Sequence, residues 1–166
     1  MNQRLSVIAR KEAEKGFHGN IEGAASNLQP IADLFPVSPP WELENWDNCW
    51  CAAFVYYCCL TAGIELPVKY PNERVKTDFS GCLAWEQWAK LEENGYWHDA
   101  EEEDFTPEVG DIILYDRVFI NDEHDHMGII IEVHDSYMLT AEGNHDNRSA
   151  IVKRPFDYHV RGYVRF

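Results

Sequence analysis

Four residues of this chain have types and settings that suit amide chemistry: Cys51, His126, Glu142 and Asn144. Cys51 lies in "NCWCAAFVYYCC", a dozen residues holding four of the five cysteines. A thiol becomes a nucleophile as its thiolate, and unpaired N–H groups at the start of a helix stabilise that anion. Cys51 directly follows a capping region at Asp47 or Asn48, and Ala52 and Ala53 leave room beside it. His126 opens the apolar run "HMGIIIEV", where a sheet would hold the ring while it faces a cleft. Gly128, two residues on, shares that face and leaves space above the backbone. Glu142 and Asn144 end "AEGN" two residues apart, so in a strand both point to one side. A hairpin turning around His134 to Ser136 would set Asn144 opposite His126 and Glu142 opposite Gly128. A slip of one residue would send the pair to the other face.

Other readings of the cysteines stay open. Cys49 and Cys51 with His124 and His126 supply four zinc ligands on paper. Two helical residues two apart, however, point about 200° from each other around the axis and do not grip one ion. Cys58 and Cys59, inside an apolar helix, read as core filler, as do Cys82 and Cys49. No metal or other cofactor is expected.

The elements that must position these groups follow from the pattern. Leu5 to Lys15 reads as a helix, with Leu5, Ile8, Ala9 and Ala13 on one face. Residues 16 to 44 are rich in Gly, Pro, Asn and Ser and read as loop, with a short helical turn at Ile31 to Leu34. "CWCAAFVYYCCLTA" is apolar nearly all round, the mark of a helix in the middle of a domain, and Gly63 can end it. "SGCLAWEQWAKLEENGYW" reads as another helix, capped by Ser80 and stopped by Gly95. From Pro107 onward come short β-rich runs: "GDIILYD", "HMGIIIEV", "SYMLTAEGN", "AIVKRPF" and "RGYVRF". Helices first and strands second argue for an α+β domain with an antiparallel sheet.

With 14 basic and 29 acidic residues the chain carries a net charge of −15. Such a surface repels phosphate backbones and anionic lipid headgroups, so neither nucleic acid nor membrane is an expected partner. No run approaches the ~18 apolar residues of a membrane span. The start has no apolar signal core, and the odd cysteine number suits a reducing compartment, so the cytoplasm is the default location. Release by lysis or a non-standard route stays open.

"WCAAFVYYC", "PEVGDIILYD", "HMGIII" and "AEGN", in this order, resemble the CHAP family of cysteine, histidine-dependent amidohydrolases and peptidases, within the NlpC-type, papain-like group. The resemblance runs from Trp46 to Phe166, and residues 1–45 form a lead-in to one CHAP-like domain. It implies a papain-like fold, helices packed on an antiparallel sheet. It assigns the nucleophile to Cys51, the base to His126, the group orienting the base to Glu142 and an additional site residue to Asn144. Gly110 and Asp111 match the turn into the first strand. The implied substrates are peptidoglycan stem peptides or cross-bridges, or the amide joining glycan to peptide. The acidity and the missing signal segment depart from the wall-degrading members and bear on the substrate rather than the chemistry.

The expected reaction is cysteine-dependent amide hydrolysis, with Cys51 N–H and the Asn48 side chain as oxyanion donors. Trp46, Trp50 and Trp85 read first as aromatic core packing, and are also candidates for lining the cleft. The acidic stretches Glu101 to Asp104 and Asp122 to Asp125 could attract a substrate amine. The competing readings are an inactive CHAP-like binding module, and an acyltransferase that passes the thioester to an acceptor other than water.

Overall fold

The computed structural model describes residues 2–35 and 50–166. Four helices precede or interrupt the sheet: α1 (Asn2–Ala13), α2 (Gln29–Ala32), α3 (Cys51–Thr61) and α4 (Cys82–Ala89). Six strands follow: β1 (Trp97–Asp99), β2 (Ile112–Tyr115), β3 (His126–Val133), β4 (Tyr137–His145), β5 (Arg148–Pro155) and β6 (Val160–Val164). They form one sheet in the order β1-β6-β2-β3-β4-β5, antiparallel throughout. This is the expected α+β, papain-like arrangement of N-terminal helices on an antiparallel sheet. Among the described residues no helix is long and apolar enough to cross a membrane.

Helix α3 is the axle of the packing, in contact with α1, α2, β3 and β4. Eight of its eleven residues are buried, as its unbroken apolar sequence demands. It begins at Cys51, with Trp50 as N-cap, whose own side chain makes no capping hydrogen bond. The expected caps Asp47 and Asn48, together with Cys49 and Trp46, lie outside the described residues. Its end is the one the sequence indicates. Gly63 takes φ +80°, Gly63 N–H bonds Leu60 C=O and Ile64 N–H bonds Cys59 C=O, a Schellman closure.

Alternation along the strands divides the core in two. Ile112, Leu114, Met127, Ile129 and Ala141 join the helices in the larger cluster. Ile113, Tyr115, Ile130, Met138 and Tyr163 form a smaller one. The β3–β4 register next to the site is the expected one: Ile129 faces Ala141 and Ile130 faces Thr140. A bulge between Ile130 and Glu132 then shifts the pairing by one toward the turn, so Val133 faces Met138. Asp111, fully buried, takes the Arg165 guanidinium at 2.8 and 2.6 Å and ties the C-terminal strand to the turn before β2.

Three expectations are corrected. Ser80 does not cap α4: Gly81 is the N-cap, because the Ser80 hydroxyl donates to the Asp78 carboxylate instead. Helix α4 ends at Ala89, well before Gly95, as Leu91 and Asn94 close turns onto Trp88 and Leu91. Strand β1 went unread because it has only three residues and is held by pairing with β6.

Strand β4 crosses the first turn of α3 so closely that only glycine fits at position 143. A Cβ there would lie 2.4 Å from Phe54 Cβ and 2.8 Å from the Trp50 ring. Gly143→Ala must therefore push the strand off the helix that carries Cys51. A loss of about 1–3 kcal/mol in denaturant unfolding is expected, and a value within error of zero would show that the two elements separate freely.

Candidate active site

Cys51 is the first residue of α3, and its side chain is nearly buried at 7% exposure. His126 is the first residue of β3 and 1% exposed. The two groups are close enough across the junction of helix and sheet that each shifts the other's protonation. The ring's Nε2 is engaged elsewhere, 2.7 Å from Glu142 Oε2, which leaves Nδ1 to face the sulfur.

Glu142 is wholly buried and its carboxylate is fully used. Arg154 grips it with two parallel bonds, Nε to Oε1 at 2.8 Å and Nη2 to Oε2 at 2.6 Å. Thr140 Oγ1 donates to Oε1 at 2.6 Å. The expected closeness of Glu142 to Gly128 is real and steric: a Cβ at Gly128 would lie 2.8 Å from Glu142 Cγ. Aromatic rings enclose the imidazole. Tyr115 stacks on it at 6.2 Å between centroids, and Phe119 meets it edge-on at 4.9 Å.

These surroundings set the charges. Burial alone would raise Glu142, but the His126 charge and the Arg154 and His126 hydrogen bonds hold it down at about 2. Burial alone would lower His126; the Glu142 charge and the bonds to Cys51 and Glu142 override it and push the ring up to about 10. For Cys51 the largest influence is a hydrogen bond from Cys82, opposed by burial and reinforced by His126 and the Ala52 N–H. Together they hold the thiol well below its ordinary value. Cys58 and Cys59 lack any such partner, and burial raises both. The directions for Cys51 and His126 both favour a thiolate paired with an imidazolium.

The sulfur opens onto a cleft of about 580 Å³ between the start of α4, the loop joining β2 to β3 and the turn joining β4 to β5. Asp122, Glu123, Asp125 and Asp146 line it, and no Lys or Arg does among the described residues. A buried cluster holds the loop in place. Glu86 of α4 binds His124, Lys90 and Arg161, and Arg161 Nη1 also reaches Asp116 Oδ2 at 3.0 Å.

A profile of the CHAP domain matches residues 43–144. The chain belongs to the CHAP-domain family. Domains of that family are of the amidase and peptidase type and typically depend on cysteine and histidine. Searches of curated proteins and of solved structures found no match. The matched span of this CHAP domain contains Cys51, His126, Glu142 and Asn144, and stops short of Arg154.

The expected site residues divide as follows. Cys51, His126 and Glu142 come together, with His126 bonded to Glu142 and electrostatically coupled to Cys51. Asn144 lines the cleft but does not join them: its Oδ1 is buried without a hydrogen-bond partner. It sits where the β4–β5 pairing shifts, with φ +60°, so the two-residue alternation that would have set it beside Glu142 breaks there. Trp50 and Trp85 do not line the cleft. Both are fully buried, with indole N–H groups on Asn147 Oδ1 and Phe79 C=O, so core packing claims them. Trp46 and Asn48 lie outside the described residues. Of the two acidic stretches, Asp122 to Asp125 borders this cleft, whereas Glu101 and Glu102 line a separate one beside Arg161.

Of the four residues named for zinc, Cys49 lies outside the described residues, and the His124 and His126 rings turn to different carboxylates, Glu86 and Glu142. Arg154 and Cys82 were missed as site residues. Arg154 shares a strand face with Val152 and Ala150, which pair with Thr140 and Glu142, so a strand-pairing argument carried one strand further would have found it.

Proposed function

We propose that this CHAP domain hydrolyses peptide amides through Cys51, acting on peptidoglycan peptides or closely related ones. The observation that carries the reading is a thiol at the head of a helix, electrostatically coupled to a histidine ring that is itself bonded to the buried Glu142 carboxylate. The Cys51 thiolate adds to the scissile carbonyl. The resulting oxyanion meets the backbone N–H of Cys51, which as the first helical residue has no acceptor within α3. Collapse breaks the C–N bond, and His126 gives its proton to the departing amine, leaving a thioester and a neutral ring. Neutral His126 then draws a proton from water as it attacks the thioester. The acid product leaves, and thiolate and imidazolium are restored. Glu142 keeps the ring in the orientation and tautomer that both steps need.

Purified peptidoglycan incubated with the wild type should yield new amine and carboxylate ends by mass spectrometry, and Cys51→Ala should yield none. Identical product profiles would remove the proposal.

The acidic lining bears on the substrate. A cleft bordered by four carboxylates and no lysine or arginine favours a peptide bearing a free amine near the scissile bond. Acetylating that amine is expected to raise KM by roughly tenfold at low salt, an effect that shrinks as salt is added. Equal kcat/KM for acetylated and free peptides would show that the carboxylates serve only the loop.

A further inference from the structure

Helix α4 places a second thiol against the first. Cys82 Sγ lies 3.7 Å from Cys51 Sγ, and each cysteine is the first residue of its helix. Cys82 is 6% exposed, at the margin of the main core cluster where it borders the same cleft. Either sulfur can donate across that distance, and transfer of the Cys51 proton to His126 makes Cys82 the donor.

We propose that Cys82 is a positioning residue for the nucleophile, its S–H donating to the Cys51 thiolate and fixing the direction in which that sulfur presents its free electron pairs to the cleft. This rests on Cys51 being the nucleophile of the reaction above.

The roles do not interchange. Cys82 has no imidazole of its own. Its bond to Cys51, its burial, the Cys51 charge and nearby Asp125 all favour its remaining protonated. A neutral thiol beside a thiolate supplies a weak hydrogen bond, strengthened by the burial of both residues. The groups that face the Cys51 sulfur or its cleft from the other elements are His126 of β3, Asp122, Glu123, His124 and Asp125 of the loop, and Asp146 of the β4–β5 turn. The carboxylates oppose the thiolate, and His124 is committed to Glu86. Among the described residues, Cys82 and His126 are therefore the side chains that favour the negative charge on Cys51.

The test reads Cys51 itself. Iodoacetamide alkylation is followed at the Cys51 peptide by mass spectrometry across pH in wild type, Cys82→Ala, Cys82→Val and Cys82→Ser. Alanine and valine remove the donor, and valine does so while filling the space. Both should raise the pH midpoint of Cys51 alkylation by about one unit, so that below the midpoint the reaction slows about tenfold. Serine keeps an O–H donor and should leave the midpoint at or below the wild-type value. The acid limb of kcat/KM should move with the midpoint in each variant.

Unchanged midpoints in Cys82→Ala and Cys82→Val would overturn the proposal. So would a Cys82→Ser midpoint displaced as far as that of Cys82→Val, since that would mark a packing effect. Alkylation needs no substrate, so a failure to cleave peptidoglycan leaves this result standing and is read separately.

Discussion

Cys51→Ser is expected to lower kcat on a cleaved peptide by roughly a million-fold, with the unfolding midpoint nearly unchanged. The substitution is small in volume and keeps a polar hydrogen, so packing at the head of α3 survives. The chemistry does not. The site is built to hold a sulfur anion: His126 is kept protonated by Glu142, and Cys51 is held well below its ordinary value. A serine hydroxyl stays neutral beside an imidazolium, and a protonated ring cannot accept its proton. The site that suits a thiolate is thus a poor one for a hydroxyl. Activity within tenfold of wild type would mean that the sulfur is not the attacking atom.

Glu142→Gln is expected to cost both stability and turnover. The amide matches the carboxylate in shape but brings no charge. It leaves the Arg154 guanidinium, 12% exposed, without its counter-ion, and turns an NH2 group toward a set of donors. Removing one partner of a buried ion pair costs about 3–5 kcal/mol. Loss of the charged group behind a catalytic imidazole lowers kcat by about 10³- to 10⁴-fold. Arg154→Met should be milder in kcat, since the Glu142 to His126 bond remains. A kcat for Glu142→Gln within threefold of wild type would remove Glu142 from the mechanism.

The same residue sets a pH signature. Glu142 titrates at about 2 in the folded chain against an ordinary 4.5, so its contribution to stability is complete above 4.5 and is lost as pH falls toward 2. His126 runs the other way. Its contribution is complete below the ordinary 6.5 and is lost as pH rises through about 10. Wild-type unfolding free energy should therefore fall off on the acid side below 4.5, and Glu142→Gln should flatten that limb.

Much of this site was legible in the chain because local rules and the fold agree there. Cys51 precedes an apolar helix with a glycine stop. His126 heads a strand, and the alternation through Gly128 and Ile130 puts its ring on the face that Glu142 shares. The polar turn at His134 to Ser136 fixed the register near the site. The bulge at Ile131 changes the pairing only on the far side of Ile130.

What failed did so where tertiary contacts override local pattern. Asn144 shares Glu142's parity on paper, but a positive φ at a register shift turns it out of line. Ser80 has the right type for a cap, yet Asp78 competes for its hydroxyl. Trp50 and Trp85 carry the polar tip of a cleft residue, and buried acceptors satisfy both. Cys82 stands 31 positions from Cys51, and nothing in its neighbourhood of sequence marks the approach of one helix start to the other. Arg154 stands beside Lys153 on the edge strand β5, where a charge reads as solvated, and only the sheet order places its guanidinium on the Glu142 carboxylate.

The most direct measurement is the ultraviolet absorbance of the thiolate, taken as wild type minus Cys51→Ala across pH and repeated in His126→Ala. A thiolate signal already present at neutral pH and below in the wild type, and displaced toward the ordinary thiol range when His126 is removed, is the expected result. A Cys51 that titrates as an ordinary thiol, with or without His126, would contradict the paired sulfur and imidazole on which the proposed hydrolysis rests.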